Sequence, residues 1–447
     1  MKQFSPFLLL SFASANELAM KPPMGWRSWN LFGENVSQSL LESIMDHMVS
    51  RTRSVDGVPT SLCDLGYCDV GLDDNWQACG SYSDSHIPLN FHDEEGTPQI
   101  NFDLFPDMKS MTDYAHSLGL TAGWYGNNCI CREHFTHDRR FYEGDVKMFI
   151  DLGFDGWKLD GCGSKLDLQL YDELLTAAGV EAVVENCHWG MRIAPPFEPT
   201  LDWCPWNFFR TSGDVRANYA SIMGNLKSTY KYADSLLSRP GCWSYPDMLE
   251  VGCSDGPGGD IDKGLTSEES RSHFGAWSII SSPLVLGMDV RNATVMDAVW
   301  DVVANKEAIA INQAWYGHAG GPFKSSTDRF TTLSDVNPAE VDSGVLKHRG
   351  LKEYEEALKE TGSFRTPDWQ YLYKPLSDDG SKFAVLLMNS RDEAADLVLD
   401  FTDIPNFKGG QVSVRDVWER KDVGDFEGSM TVNVKSHDAA FFTVSVV

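Results

Sequence analysis

Between about residues 20 and 315 the chain alternates two kinds of segment. Short apolar runs end in polar or small residues: MGWRSW, CDVGLDDNW, LTAGWYGNN, FDGWKLDGCG, VVENCHWG, WNFFRTSGD, CWSYPDML and SPLVLGMD. Between them lie stretches whose apolar positions recur at three and four, such as SQSLLESIMDHMVSR, MKSMTDYAHSLG, YEGDVKMFIDLG, SEESRSHFGAWSII and VMDAVWDVVANKEAIAI. Parallel strands need a crossover to pair, and a helix supplies it. Strand and helix alternating eight times predict a (β/α)₈ TIM barrel over residues 16–320. A charged segment, 321–366, containing VLKHRGLKEYEEALKETG, follows as a linker or insertion. From Trp369 the pattern has period two, in FAVLLMN, ADLVLDF, QVSVRDVW, MTVNV and AAFFTVSVV. Residues 367–447 are therefore expected to form a C-terminal antiparallel β domain.

The formal net charge of −28 opposes binding to nucleic acid or anionic membrane, both of which need a positive field. A neutral partner fits it better. Residues 1–15, MKQFSPFLLLSFASA, have the layout of a signal peptide ending at Ala13 and Ala15. Ten cysteines and two acceptor sequons, at Asn35 and Asn292, agree with an oxidising, secreted or lumenal setting. His134 and His137 of HFTH are the only close histidine pair, and there is no HExxH, paired CxxC or glycine-rich phosphate loop. No metal and no cofactor are expected.

In a barrel of this kind functional side chains gather where strands end. Asp73 and Asp74 finish the second run, Tyr125 the third, Lys158 and Asp160 the fourth, His188 the fifth, Arg210 and Asp214 the sixth and Asp247 the seventh. Each aspartate taken singly is equally a helix cap. Lys158 and Asp160 are two apart and so share one strand face, with Leu159 opposite. Their pairing is either a layer-filling ion pair or a device that keeps Asp160 ionised as a nucleophile. Asp214, on the turn RTSGD, supplies the second carboxylate that glycosidic cleavage requires. An acid/base aspartate beside an ionised carboxylate predicts activity peaking at mildly acidic pH. Trp26, Trp29, Trp76, Trp189 and Trp203 offer either stacking faces for a sugar or barrel plugs.

PPMGWRSWN, LDDNW, KLDGC, ENCHWG, RTSGD, PDML and INQ, in that order, resemble the melibiase-type α-galactosidases and α-N-acetylgalactosaminidases of glycoside hydrolase family 27. The resemblance implies a (β/α)₈ barrel followed by an antiparallel β-sandwich, and retaining hydrolysis of terminal α-D-galactosyl residues from an oligosaccharide or glycoconjugate. It implies Asp160 as nucleophile and Asp214 as acid/base. Asp73 and Asp74 then hold the 4- and 6-hydroxyls, and Trp29, Tyr125, Lys158 and Arg210 line the pocket. Cys162 resembles the cysteine of the pocket-wall disulfide, with Cys129 or Cys131 as partner. Cys187 with Cys204 resembles another family disulfide, and Cys242 with Cys253 is expected as a local pair. Asn75 stands where the family often has cysteine, which implies rearranged bonding among Cys63, Cys68 and Cys79. His188 and Met191 occupy the positions that face the sugar 2-substituent; their bulk implies a free 2-hydroxyl, hence galactose. The alternatives are α-N-acetylgalactosaminidase or β-L-arabinopyranosidase activity, and, from another class, a catalytically silent carbohydrate-binding barrel.

Overall fold

The computed structural model describes residues 18–80, 90–131, 133, 136–187, 199–254, 264–333 and 364–447. The expected signal peptide, 1–15, and the helix-like stretch of the charged segment lie outside the described residues. Eight parallel strands form one sheet: β1 (Met24–Arg27), β2 (Asp69–Gly71), β3 (Thr121–Gly126), β4 (Gly156–Asp160), β5 (Val183–Cys187), β6 (Phe208–Arg210), β7 (Trp243–Tyr245) and β8 (Leu284–Leu286). The order is β8-β1-β2-β3-β4-β5-β6-β7. Leu249, just past β7, bridges in parallel to Leu286, and its N–H donates to the Val285 carbonyl at 2.8 Å, which joins the sheet's ends.

Helices α1 (Gln38–Met48), α2 (Met108–Ser117), α3 (Arg139–Leu152), α4 (Leu168–Ala178), α5 (Tyr219–Ser228), α6 (Ser267–Ile279), α7 (Ala293–Val303) and α8 (Lys306–Gln313) follow the strands. Side chains at Ser37, Asp107, Asp167, Asn218 and Thr266 accept from the first free N–H groups of α1, α2, α4, α5 and α6. The periodic run expected as one helix at VMDAVWDVVANKEAIAI is broken into α7 and α8. Asn305 breaks it, because its side chain caps α8 by accepting from Glu307 N and Ala308 N.

Alternation along the strands sorts side chains between helices and lumen. Trp157 of β4 turns outward and stacks on Phe149 of α3, ring centroids 4.9 Å apart, which leaves Gly156, Lys158 and Asp160 facing inward. The lumen floor is apolar, built by Phe208, Trp243, Tyr245 and Val285 with Val183 beside them. Above it Arg27 of β1 and Glu185 of β5 form a buried ion pair. Gly71 of β2 makes room for this layer, since a Cβ there would lie 2.8 Å from Arg27 Nε.

The tail is antiparallel, with strands β9 (Gly321–Ser325), β10 (Phe330–Leu333), β11 (Phe364–Pro367), β12 (Trp369–Pro375), β13 (Lys382–Asn389), β14 (Ala395–Asp400), β15 (Val412–Asp416), β16 (Lys421–Phe426), β17 (Ser429–Val434) and β18 (Ala439–Val446). Six of them form one sheet in the order β9-β12-β13-β18-β15-β16, and β14 pairs with β17. The charged segment thus begins and ends in strands rather than standing apart, since β9 pairs with β12 and β10 with β11. Strand β13 is apolar on both faces because both are covered. Phe383, Val385 and Leu387 join the sandwich core, while Ala384, Leu386 and Met388 join the barrel core through α6.

Removing one member of a buried ion pair leaves the other uncompensated. Arg27→Met is expected to destabilise the protein by about 3–5 kcal/mol. Adding Glu185→Met should recover most of that loss, with urea unfolding midpoints as the measure.

Candidate active site

The inward column of β4 carries Lys158 and Asp160, and neighbouring columns decide what each of them meets. Register places Tyr125 of β3 beside Lys158, and Cys187 of β5 beside Asp160. Lys158 Nζ donates to Asp73 Oδ2 at 2.7 Å, just past β2, and lies 5.3 Å from the centre of the Tyr125 ring. Burial opposes the charge of Lys158, but Asp73 and the neighbouring acids outweigh burial and raise its pKa above the ordinary lysine value. Lys158 and Asp160 therefore do share a strand face, but the direct partner of Lys158 is Asp73. The spacing argument fails there because it weighs only neighbours on the same strand, whereas Asp73 comes from the end of β2, two strands away along the wall.

Asp160 is held by neutral donors. The Tyr125 hydroxyl donates to Oδ2 at 2.8 Å, and the Cys162 N–H donates to Oδ1 at 3.0 Å. Burial raises its pKa from the usual 3.8 to about 6, against the lowering effects of Lys158 and those two hydrogen bonds. The backbone is fixed as well, since Asn127 Nδ2 donates to the Asp160 carbonyl at 3.0 Å. The final glycine of GWKLDGCG belongs to this contact. Gly163 has φ +103°, and a Cβ on it would lie 2.0 Å from Asn127 Oδ1.

Across β5 stands Arg210. Its Nη1 lies 3.4 Å from Cys187 Sγ. Its Nη2 reaches Asp214 Oδ1 at 3.0 Å and Asp247 Oδ2 at 3.1 Å. Asp247 is buried, accepts from Val215 N at 2.9 Å and has its pKa raised, first by burial and then by Asp214 against the lowering effect of Arg210. Asp214 keeps 32 % of its side-chain exposure, whereas Asp160 is 7 % exposed. One carboxylate is deep and the other meets water.

Asp74 is held by the backbone. Its Oδ2 accepts from Cys129 N at 2.8 Å and Ile130 N at 3.0 Å, so it braces the loop after β3. Its pKa is raised by burial, against those backbone hydrogen bonds. Trp29 is half-buried, while Trp26 and Trp76 are buried plugs whose indole N–H groups donate to the Met288 and Tyr125 carbonyls. Trp203 is half-buried and donates to Gln169 Oε1. His188, Trp189 and Met191 lie outside the described residues, as does His134. The Asn35 and Asn292 side chains are exposed, and Asn292 also caps α7.

The disulfides are Cys63–Cys68, Cys79–Cys131, Cys129–Cys162 and Cys204–Cys242. Cys129, not Cys131, is thus the partner of Cys162. The pairs expected between Cys187 and Cys204 and between Cys242 and Cys253 do not form. Cys187 lies under Arg210 with its side chain in the lumen, and Cys204 reaches Cys242 instead. Cys253 is a buried thiol directed at the Leu249 carbonyl. Sequence reasoning missed the free thiol of Cys187 level with Asp160 and the backbone cradle of Asp74; Asp247 had a signal, since PDML ends the seventh run. The donor atoms of Cys129, Asp160 and Cys162 lie within 4.8 Å of one another, but the two sulfurs are bonded to each other and offer no thiolate to a metal.

The family model described as alpha galactosidase A matches residues 21–314, and that of the alpha galactosidase C-terminal beta sandwich domain matches residues 366–444. The chain belongs to this family, the melibiase-type glycoside hydrolases of family 27. Among its relatives, an alpha-galactosidase from Cyamopsis tetragonoloba is 29 % identical, over 97 % of this chain and 88 % of the relative. Alpha-galactosidase 3 of Arabidopsis thaliana is also 29 % identical, over 96 % of this chain and 83 % of its own. Alpha-galactosidase I from Mortierella vinacea has the same fold, with a TM-score of 0.70 at 23 % identity over 97 % of this chain and all of that one. A family 27 β-L-arabinopyranosidase from Geobacillus stearothermophilus matches as well in fold, with a TM-score of 0.70 at 18 % identity over 96 % of this chain and 97 % of that one. No helix among the described residues is long and apolar enough to cross a membrane.

A carboxyl whose pKa is raised on folding binds its proton more tightly in the folded state. The penalty for Asp160 is therefore absent below about pH 4 and grows as pH rises towards 6. Asp160→Asn is expected to match wild type in stability near pH 4 and exceed it by about 3 kcal/mol at pH 7. Chemical denaturation of both proteins at the two pH values checks this. Gly163→Ala should lower turnover about tenfold or more, because either Asn127 or the Asp160 segment must move.

Proposed function

We propose that this chain is a secreted or lumenal, retaining exo-α-galactosidase that releases terminal α-linked D-galactose from oligosaccharides or glycoconjugates. The reading is carried by one arrangement: a deep carboxylate, Asp160, fixed by Tyr125 and the Cys162 N–H, with Cys187 beside it in register, and Arg210, over Cys187, holding the water-accessible carboxylate of Asp214. Curated relatives bearing the name alpha-galactosidase support the choice of sugar. The bulk of His188 and Met191 supports a free 2-hydroxyl. Four disulfides support an oxidising compartment.

In the first step Asp160 attacks the anomeric carbon. The glycosidic C–O bond breaks, Asp214 gives its proton to the departing oxygen, and a β-galactosyl ester forms on Asp160. In the second step Asp214 takes a proton from water as that water attacks the same carbon. α-Galactose leaves, the Asp160 carboxylate is regenerated and Asp214 is protonated again. Lys158 and Asp73, paired on the lumen wall, present a donor and an acceptor to ring hydroxyls. Attack requires Asp160 ionised, so kcat/KM should fall below about pH 6, where its carboxyl takes a proton in the free protein.

Azide separates the two roles. Asp160→Ala should lose hydrolysis and, with azide filling the gap, yield β-galactosyl azide from an activated α-galactoside. Asp214→Ala should retain ester formation on an activated substrate and yield α-galactosyl azide. Identical anomers from both variants, or wild-type turnover in Asp160→Ala, would overturn the mechanism. Wild-type protein that cleaves the p-nitrophenyl α-N-acetylgalactosaminide or β-L-arabinopyranoside but not the α-galactoside would move the sugar assignment within the family.

A further inference from the structure

Beside the pocket, the loops after β2, β3 and β4 meet again in a second buried polar cluster whose side chains have no part in the proposed chemistry. Glu133, from the loop after β3, stands at its centre, and its side chain and those of His92 and Lys165 are wholly buried. Glu133 Oε2 faces His92 Nδ1 at 2.8 Å and accepts from Lys165 Nζ at 3.0 Å. Its Oε1 accepts from the backbone N–H groups of Phe91 and His92, both at 3.2 Å. His92 Nε2 faces Asp145 Oδ1 of α3 at 2.9 Å, and Asp145 Oδ2 accepts from the Tyr171 hydroxyl of α4 at 2.7 Å. Thr136 completes the set, its hydroxyl accepting from Lys165 at 3.2 Å. Burial opposes the negative charge of Glu133, but His92 and Lys165 outweigh it and hold the carboxyl at about 2.

Two short paths lead from this cluster to the pocket. Glu133 N donates to Asn128 Oδ1, and Asn128 N donates to the Cys162 carbonyl; Cys162 is the residue whose own N–H holds Asp160. The carbonyl of Lys165 accepts from Asn127 Nδ2, the amide that also holds the Asp160 carbonyl. The same loop carries the Cys129 and Ile130 N–H groups that cradle Asp74. Displacing any one of these loops would part Glu133 from its buried partners and leave a charge unpaired.

We propose that Glu133, with Lys165 and His92, is a positioning residue for the hydrolysis, holding the loops after β2, β3 and β4 so that the Asp160 carboxylate stands in line for attack. This inference rests on the reaction proposed above. Glu133 touches no reacting atom, so its effect falls on the rate of ester formation rather than on the chemistry's proton inventory.

The test uses the full-length secreted protein and two variants, Glu133→Gln, which keeps shape and removes charge, and Lys165→Gln. Melting temperature and circular dichroism report folding. A 5-fluoro galactosyl fluoride, which accumulates the glycosyl-enzyme, reports the rate of ester formation per folded molecule well below the melting temperature. The expected result is at least a tenfold fall in that rate and in kcat, with little change in KM and an unshifted acid limb of the pH profile. A lowered melting temperature with a wild-type trapping rate would overturn the proposal by making the cluster structural only. Failure of both variants to accumulate as folded protein would also overturn it. Wild-type protein that neither hydrolyses an α-galactoside nor is trapped would instead sink the functional reading beneath it.

Discussion

Charge inside a closed ring of strands is tolerable only where each group meets an opposite charge or a full set of hydrogen bonds, and this requirement organises the barrel. Arg27 meets Glu185, Lys158 meets Asp73, and Arg210 meets Asp214 and Asp247. These pairs take up Arg27, Lys158 and Arg210, the lumen cations among the described residues. Asp160 is left with a phenol and a backbone amide, so burial dominates its titration. A carboxylate that is poorly compensated in the empty pocket is well suited to meet the positive charge that develops on a sugar ring during cleavage. Burial raises Asp74 and Asp247 as well, but these two are held by backbone N–H groups and by Arg210, whereas Asp160 has only neutral donors in direct contact among the described residues.

Holding such a group still requires rigid loops, and covalent bonds help to provide them. Cys79–Cys131 joins the loops after β2 and β3, and Cys129–Cys162 joins those after β3 and β4. Cys129 and Cys131 flank Ile130, whose N–H binds Asp74 together with that of Cys129. Three loops therefore behave as one wall, with Asp74 as its internal brace. That explains why GWKLDGCG ends as it does. Cys162 supplies both the sulfur and the N–H donor to Asp160, and Gly163 supplies the left-handed turn that lets Asn127 approach.

Much of this was legible in the residues before any coordinates. Strand–helix alternation marked all eight barrel strands, because parallel strands buried on both faces keep near-continuous apolar runs. Polar residues at their ends marked Asp73, Tyr125, Lys158, Asp160, Arg210 and Asp214, which the fold brings to one mouth. What escaped depended on partners distant in sequence. The i, i+2 spacing of Lys158 and Asp160 is a local statement, whereas the Lys158–Asp73 pair spans 85 positions. Disulfide pairing escaped for a similar reason, since Cys242 precedes β7 and reaches Cys204 beside β6, a proximity set by strand order rather than spacing. The cluster around Glu133 has no local signal, because its partners His92 and Lys165 come from other loops and only the fold brings them together.

The two halves of the pocket are steadied by different means, and the tail domain belongs to the second. On the Asp160 side the supports are disulfides and buried ion pairs among the barrel loops. On the Asp214 side the support runs through α6. Trp277 of α6 donates from its indole nitrogen to the Asp247 carbonyl at 2.8 Å, and Asp247 holds Arg210, which holds Asp214. Helix α6 is in turn pressed against the six-stranded sheet, where Gly275 leaves so little room that a Cβ would lie 2.8 Å from Leu386 Cδ1. Arg271 and Asp438 add a bidentate ion pair across the same junction. The β-sandwich therefore reaches the second carboxylate of the pair through one helix and one indole. Its removal would leave the Asp160 wall stapled while loosening the arginine that sets where Asp214 stands.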